Sequence, residues 1–240
     1  MFDYDRLLSP TVTSLKKSGI RKFFDLLEEM DDVVSLTVGQ PDFVTPWHIR
    51  EAGIESLERG KTYYTSNAGT LDLRREISAY LLRRFGLVYD PKKEIIVTIG
   101  GSEAIDMTIR TLVTPGDEVI IPEPCFVCYE PLVRMAGGVP VIVDTSAEDK
   151  FKLTPEKLAA AITPRTKLLV LAYPNNPTGA VMTREDLEGI AEVLRPTNIA
   201  ILSDEIYAEL TFGFRHTSIA SLPGMRERTI LASGFSKAYA

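Results

Sequence analysis

Cysteine is scarce in this chain: Cys125 and Cys128 are the only two among 240 residues. A chain of this length with two cysteines does not build a disulfide scaffold. It also has no apolar run of membrane-spanning length and no block of basic residues, so we expect neither a membrane nor a nucleic acid as partner. The formal net charge is −6, from 27 Lys and Arg against 33 Asp and Glu. An acidic balance of this kind does not attract a polyanion.

The start of the chain, Met1 to Arg6, lacks the basic and then apolar layout of a signal peptide. Apolar residues make up 45% of the chain and charged residues 25%, which is ordinary for a globular protein. These features predict a cytoplasmic enzyme or binding domain.

From about Lys92 the sequence alternates between short β-rich runs and amphipathic helical stretches. Strands are predicted at residues 94–99, 117–121, 139–143, 167–172, 199–202 and 229–232. Helices are predicted at residues 46–59, 71–85 and 102–113, from residue 155, and at 183–195. Continuous apolar strands separated by helices predict an α/β fold, with a mostly parallel sheet covered by helices on both faces.

Candidate chemical residues follow four of the predicted strands. They are the turn Gly100-Gly101-Ser102, then Asn176, Asp204 and Lys237. Ligands of parallel sheets bind beyond the carboxyl ends of the strands, so we expect these residues to share one site. Each has a plainer alternative when taken alone: a tight turn, a Pro-Gly loop, an aspartate that caps a turn, and a surface lysine.

The chemistry expected of Asp204 and Lys237 is specific. A carboxylate at the end of a buried strand, such as Asp204, is costly unless a partner compensates its charge. Lys237 follows a buried strand and a Ser-Gly turn, and a lysine linked to an aldehyde cofactor forms a Schiff base and can later act as a base. The glycine turn can present backbone N–H groups to an anion, although the spacing of a dinucleotide fingerprint is absent.

Three blocks in this order and spacing resemble the class I and II pyridoxal-phosphate-dependent aminotransferases of fold type I. They are Tyr-Pro-Asn-Asn-Pro-Thr-Gly at 173–179, Ser-Asp-Glu-Ile-Tyr at 203–207, and Ser-Gly-Phe-Ser-Lys-Ala-Tyr-Ala at 233–240. The resemblance implies that an amino group moves between an amino acid and a 2-oxo acid, with pyridoxal 5'-phosphate as cofactor. It makes Lys237 the Schiff-base lysine and the proton shuttle.

The resemblance also assigns the other cofactor contacts. Asp204 pairs with the ring nitrogen, and Asn176 and Tyr207 reach the phenolic oxygen of the ring. Phe126 stacks on the ring. The contacts to the phosphate come from Gly101, Ser102, Glu103 and Ser236.

Two earlier segments fit the same family. The resemblance places the backbone of Gly39, in Gly-Gln-Pro-Asp-Phe, at the substrate carboxylate, and it includes Asn176 in the substrate site. It has Tyr64 reach the phosphate bound by the other subunit, which implies a homodimer for the full-length form. It further implies cis peptide bonds before Pro124 and Pro177.

The resemblance divides the chain into an N-terminal arm with part of a small domain, residues 1–45, and a cofactor-binding large domain, residues 46–240. The family pattern continues beyond the lysine with further arginines, so we expect the chain to be the N-terminal part of a longer enzyme. Two alternatives stay open: a pyridoxal-phosphate-dependent lyase that catalyses β-elimination, and a non-catalytic aminotransferase-like fragment. The CxxC pair has no second pair of ligands nearby, so we expect no metal site.

Overall fold

The computed structural model describes residue 3, residues 6–16, residue 34 and residues 39–240. The helices in these ranges are α1 (Pro10–Ser14), α2 (Trp47–Glu58), α3 (Leu71–Phe85), α4 (Gly100–Leu112), α5 (Tyr129–Met135), α6 (Pro155–Ala161) and α7 (Arg184–Leu194). The strands are β1 (Glu118–Glu123), β2 (Val139–Asp144), β3 (Thr166–Ala172), β4 (Ala200–Asp204) and β5 (Thr229–Ala232). Within the described ranges, no helix has both the length and the apolar character needed to cross a membrane. Most of the predicted N-terminal arm lies outside the described residues.

The five strands form one parallel sheet in the order β2-β1-β3-β4-β5. Two buried apolar clusters lie on its opposite faces. One includes Leu158 of α6 and Ile190 of α7, and the other includes Ile109 of α4 and Val133 of α5. The predicted α/β fold with helices on both faces is therefore confirmed, and it follows from strands that are apolar on both sides.

Local sequence signals set the helix boundaries. Thr183 and Asp186 form the predicted capping box at the start of α7. Thr70 accepts a hydrogen bond from an N–H group in the first turn of α3. Gly86 ends that helix with φ +69°, a left-handed conformation that suits glycine.

The predicted strand at residues 94–99 is wrong, because the structure places no strand there. Among the described residues, its one backbone hydrogen bond to a distant segment runs from Val97 N–H to the carbonyl of Ala68. Its other backbone hydrogen bonds are local turn contacts, such as that from Glu94 N–H to the carbonyl of Asp90. Its apolar side chains Ile96 and Ile99 are exposed. An extended β-rich segment becomes a strand only when a second strand supplies a ladder, and none does so among the described residues.

Candidate active site

The parallel register brings the ends of β3, β4 and β5 side by side. Ala172 at the end of β3 pairs with Asp204, and Asp204 pairs with Ala232 at the end of β5. The loops that carry Asn176 and Lys237 leave the sheet at this same edge. Residues far apart in sequence thus emerge from neighbouring strands at one edge.

Lys237 is half-buried and lies against two neutral groups. Its Nζ donates a hydrogen bond of 3.1 Å to the carbonyl oxygen of Gly39. The same nitrogen lies 5.8 Å from the ring centroid of Tyr207. The structure therefore joins three predicted site residues, and across the described part of the chain no carboxylate forms an ion pair with this amine.

Asp204 is a buried carboxylate, 8% exposed, with two donors. The hydroxyl of Tyr129 donates to Oδ2 at 2.7 Å, and the N–H of Ile206 donates to Oδ1 at 3.2 Å. Burial raises the pKa of Asp204 above its usual value, and these two hydrogen bonds oppose that rise. A carboxylate has about four lone-pair sites, so Asp204 can still accept a proton donor such as a protonated ring nitrogen.

Tyr129 is a site residue that sequence reasoning missed. Its side chain is 1% exposed, and burial together with the charge of Asp204 raises the pKa of its hydroxyl, which keeps the group a donor. The sequence feature that could have identified Tyr129 was its position three residues after Phe126. Its partner lies 75 positions away, and no local pattern reports such a pairing.

The two adjacent asparagines have separate roles. Asn175 is buried and builds the turn: its Oδ1 accepts from the N–H and the hydroxyl of Thr178, at 3.1 and 2.8 Å. Its Nδ2 donates to the carbonyl of Pro124 at 3.2 Å. Asn176 is half-buried and its side-chain amide makes no hydrogen bond to any described residue, so it stays available for a ligand. Both predicted cis peptide bonds, before Pro124 and Pro177, are confirmed.

The glycine turn opens helix α4, which packs on β4 and β5. Gly100 has φ +76°, and a Cβ atom built on Gly100 or Gly101 would meet nothing within 4 Å. Open space at the first turn of a 13-residue helix suits an anion held by the N–H groups of Gly101 and Ser102. The carboxylate of Glu103 instead accepts from the N–H of Ile99, which leaves the backbone of Glu103 for the predicted phosphate contact.

Phe126 stands beside this edge at 36% exposure. Its ring is perpendicular to that of Tyr129, with the centroids 6.2 Å apart, and its exposed part is available to a planar ligand. Burial raises the pKa of the Cys125 and Cys128 thiols to about 12, which keeps both neutral. In the described ranges, no group of three or more His, Cys, Asp or Glu residues could hold a metal ion.

Two predicted cofactor contacts stay apart from this group. Tyr64 is fully exposed, and Ser236 is exposed in the turn before Lys237. Neither side chain makes a hydrogen bond or a ring contact with the other candidate residues in the described part of the chain. The remaining set of an amine, a buried carboxylate, a free amide, a partly exposed aromatic ring and an anion-binding turn fits pyridoxal 5'-phosphate.

Comparison with known proteins agrees with this fit. The family model described as "Aminotransferase class I and II" matches residues 31–240. A putative aminotransferase of Bacillus subtilis is 56% identical over 97% of this chain and 60% of its own length. A probable N-acetyl-LL-diaminopimelate aminotransferase of the same organism is 46% identical over 98% of this chain and 59% of its own length.

Solved structures show the same architecture. The aspartate aminotransferase of Thermus thermophilus with maleate superposes with a TM-score of 0.91 at 41% identity, over 97% of this chain and 61% of that one. A structure named Pyrococcus protein-A1 gives a TM-score of 0.92 at 44% identity, over 95% of this chain and 59% of that one. The chain thus spans about three fifths of the length of the relatives it matches.

Proposed function

The chain belongs to the class I and II aminotransferase family, and on that premise we propose that the protein transfers an amino group between an amino acid and a 2-oxo acid with pyridoxal 5'-phosphate. The observation that carries the proposal is the meeting of Lys237, Tyr207 and the Gly39 carbonyl beside the buried carboxylate of Asp204. The activity belongs to the whole protein, since the chain spans about three fifths of its relatives.

Asp204 would hold the ring of the cofactor through its nitrogen. A buried carboxylate stabilises a proton on that nitrogen, and Tyr129 keeps the carboxylate oriented. When bound, pyridoxal 5'-phosphate supplies an electron sink that stabilises negative charge on the α-carbon of the substrate. Phe126 would cover one face of the ring and exclude water from it.

The phenolic oxygen and the phosphate of the cofactor would be held by different parts of the protein. The free amide of Asn176 and the hydroxyl of Tyr207 would donate to the phenolic oxygen. The first turn of α4, at Gly101, Ser102 and the backbone of Glu103, would hold the phosphate, with the hydroxyl of Ser236 as a further donor.

Lys237 would hold the cofactor covalently and then move the proton at the α-carbon of the substrate. Its Nζ lies against a carbonyl and an aromatic ring, and both contacts are weak enough to be exchanged during turnover. Once the nitrogen is released as a free amine, it can take a proton from carbon and return it. Gly39 and Asn176 would bind the carboxylate of the substrate, Gly39 through its backbone.

We extend the proposal to assembly and domain division. Tyr64 is fully exposed and makes no hydrogen bond to the other candidate residues in the described part of the chain, which fits a residue that serves the phosphate site of a second subunit in a homodimer. Residues 46–240 would form the cofactor-binding domain, and residues 1–45 the arm and part of a small domain.

The test uses reduction of the bound cofactor and mapping of the modified peptide. We expect pyridoxal 5'-phosphate to give a visible absorption band, and borohydride to fix the cofactor onto Lys237. Lys237→Ala in the full-length protein should abolish amino transfer. Lys93→Ala, a change at an exposed lysine, is the matched control and should leave the transfer intact. Attachment elsewhere, or substantial transfer by Lys237→Ala, would sink the proposal.

A further inference from the structure

Behind the carboxyl edge of the sheet lies a second buried carboxylate, Glu205, which is 2% exposed. Its Oε1 accepts from the hydroxyls of Ser203 and Ser218, at 2.8 and 2.7 Å. Its Oε2 lies 2.8 Å from Nε2 of His216, whose side chain is 9% exposed. We call these four residues the Glu205 cluster. The neighbours on this side are apolar, among them Leu171 and Ile219.

We propose that the Glu205 cluster is a positioning device for the reaction: it fixes the peptide that carries Asp204 and Tyr207, so that both side chains meet the cofactor in one orientation. This inference rests on the proposed function, because it concerns how that site is held. Glu205 touches neither cofactor nor substrate, and it acts only through its neighbours in the chain.

Side chains alternate between the two faces of the sheet along β4. Successive residues of an extended strand point to opposite faces of a sheet. Asp204 therefore points to the face where Tyr129 lies, and Ser203 and Glu205 point to the other face. The N–H of Glu205 also donates to the carbonyl of Ala232 at 2.8 Å, which extends the ladder with β5 by one bond. The backbone of Asp204 is thus held from both faces.

The loop that follows Glu205 is anchored at a second point. Glu209, four residues after Glu205, accepts hydrogen bonds from Tyr80 and Arg84 of α3. The ionisable residues of the segment 204–209 therefore divide into two sets. Asp204 and Tyr207 face the candidate site, and Glu205 and Glu209 anchor the segment to the protein behind it. The two sets alternate, so a shift of one anchor moves a residue of the site.

A buried carboxylate contributes little net stability compared with an apolar side chain of similar size, because its desolvation offsets its hydrogen bonds. The Glu205 carboxylate does fix the orientation of the loop, because its three hydrogen-bond donors are all satisfied in one arrangement only. Ser218 adds to this by accepting from the N–H of Ala220 while it donates to Glu205. The cluster therefore specifies the geometry of the loop more than it stabilises the fold.

The test replaces Glu205 with an apolar residue of similar length, Glu205→Met, in the full-length protein. We expect the affinity for pyridoxal 5'-phosphate to fall by at least about tenfold, because a displaced Asp204 pairs less well with the ring nitrogen. The pH at which the visible absorption band of the bound cofactor is half-titrated should rise, because a ring nitrogen that is less protonated withdraws less charge. Turnover should fall by at least about tenfold, with KM for the amino acid changed by less than about threefold.

A second readout needs no cofactor. The N–H of Ile206 donates to Asp204, so its exchange with solvent reports how firmly this peptide is held. In the apo protein we expect exchange at Ile206 to be at least about tenfold faster in Glu205→Met than in the parent. Glu205→Gln keeps a hydrogen-bonding group of the same shape and should restore most of the cofactor affinity.

The matched control is Glu118→Met. Glu118 is also a buried carboxylate, 4% exposed, but it lies at the opposite end of the sheet and accepts from Thr163 and Arg165. We expect it to lower thermal stability without changing the visible band or the exchange at Ile206. If Glu205→Met fails to fold, Ser218→Ala removes one donor of the cluster and should weaken cofactor binding by about threefold.

The inference is overturned if a folded Glu205→Met keeps the cofactor affinity, the midpoint pH of the visible band and the Ile206 exchange rate of the parent. Where Glu205→Met does not fold, the same result in Ser218→Ala overturns it. The parent protein separates this failure from that of the proposed function. If the parent forms the reduced adduct at Lys237 and the variants match the parent in every readout, the positioning role alone is refuted. A parent that forms no adduct refutes the proposed function, and the inference with it.

Discussion

Replacing Tyr129 with phenylalanine tests the electrostatic account of the site. The change removes one oxygen from a side chain that is 1% exposed, and with it the 2.7 Å hydrogen bond to Asp204. Hydrogen bonds to charged groups contribute roughly 1.5–3 kcal/mol, and bonds between neutral groups about 1 kcal/mol. At pH values where Asp204 is ionised, we expect the free energy of unfolding of the apo chain to fall by roughly 1.5–3 kcal/mol.

The sign of the pH dependence follows from the direction of the pKa shift. The pKa of Asp204 is raised by burial, so ionising it penalises the folded state, and stability falls as the pH rises through that raised pKa. Tyr129→Phe removes a donor that opposes the rise, so the penalty becomes larger. The cost of the substitution should be smallest near pH 4, around the usual aspartate pKa of about 3.9, and should grow towards pH 8.

The assay is urea unfolding of the apo chain, followed by circular dichroism at several pH values. Tyr173→Phe is the matched control, because Tyr173 is also buried but bonds only to backbone groups, at Leu153 and Phe151. Its cost should be about 1 kcal/mol at every pH in this range. Equal costs for the two variants, with the same pH profile, would refute the coupling between Tyr129 and Asp204.

Three further predictions concern the loop, acid stability and one helix cap. Asn175→Ala should lower the free energy of unfolding by about 2–3 kcal/mol, since it breaks the turn, whereas Asn176→Ala should leave it nearly unchanged and weaken cofactor binding. Lys167, with help from Thr114, lowers the pKa of Asp117 to about 2. The stability from this pair is present above about pH 4 and lost as the pH falls towards the lowered pKa, so the cost of Lys167→Met should shrink in acid. Thr183→Ala should cost about 1 kcal/mol through loss of the capping box.

Each of these has a contrary outcome. Equal stability of the two asparagine variants would contradict the division of roles in the loop. A cost of Lys167→Met that stays constant between about pH 3 and pH 7 would contradict the pairing with Asp117. A parent-like urea midpoint for Thr183→Ala would contradict the contribution of the cap to α7.

Much of the fold was predictable because the signals are local. Apolar runs, caps and breaking residues lie within a few positions of the elements that they define, and helix 71–85 was predicted to the residue. The strand at 94–99 was the exception. Its residues have strand propensity, but a strand also needs a neighbouring backbone, and that requirement is not local.

The sequence by itself determined the alternation of strands and helices, the parallel sheet, and the residues that leave the sheet at its carboxyl edge. Strand polarity alone gathers Asn176, Asp204 and Lys237 at one edge, so these could be named without coordinates. Only the tertiary structure decided what holds them: Tyr129 on one face of Asp204 and the Glu205 cluster on the other. The hydrogen bonds from Tyr129, His216 and Ser218 join segments brought together by packing, and their donors and acceptors carry no local signature in the sequence.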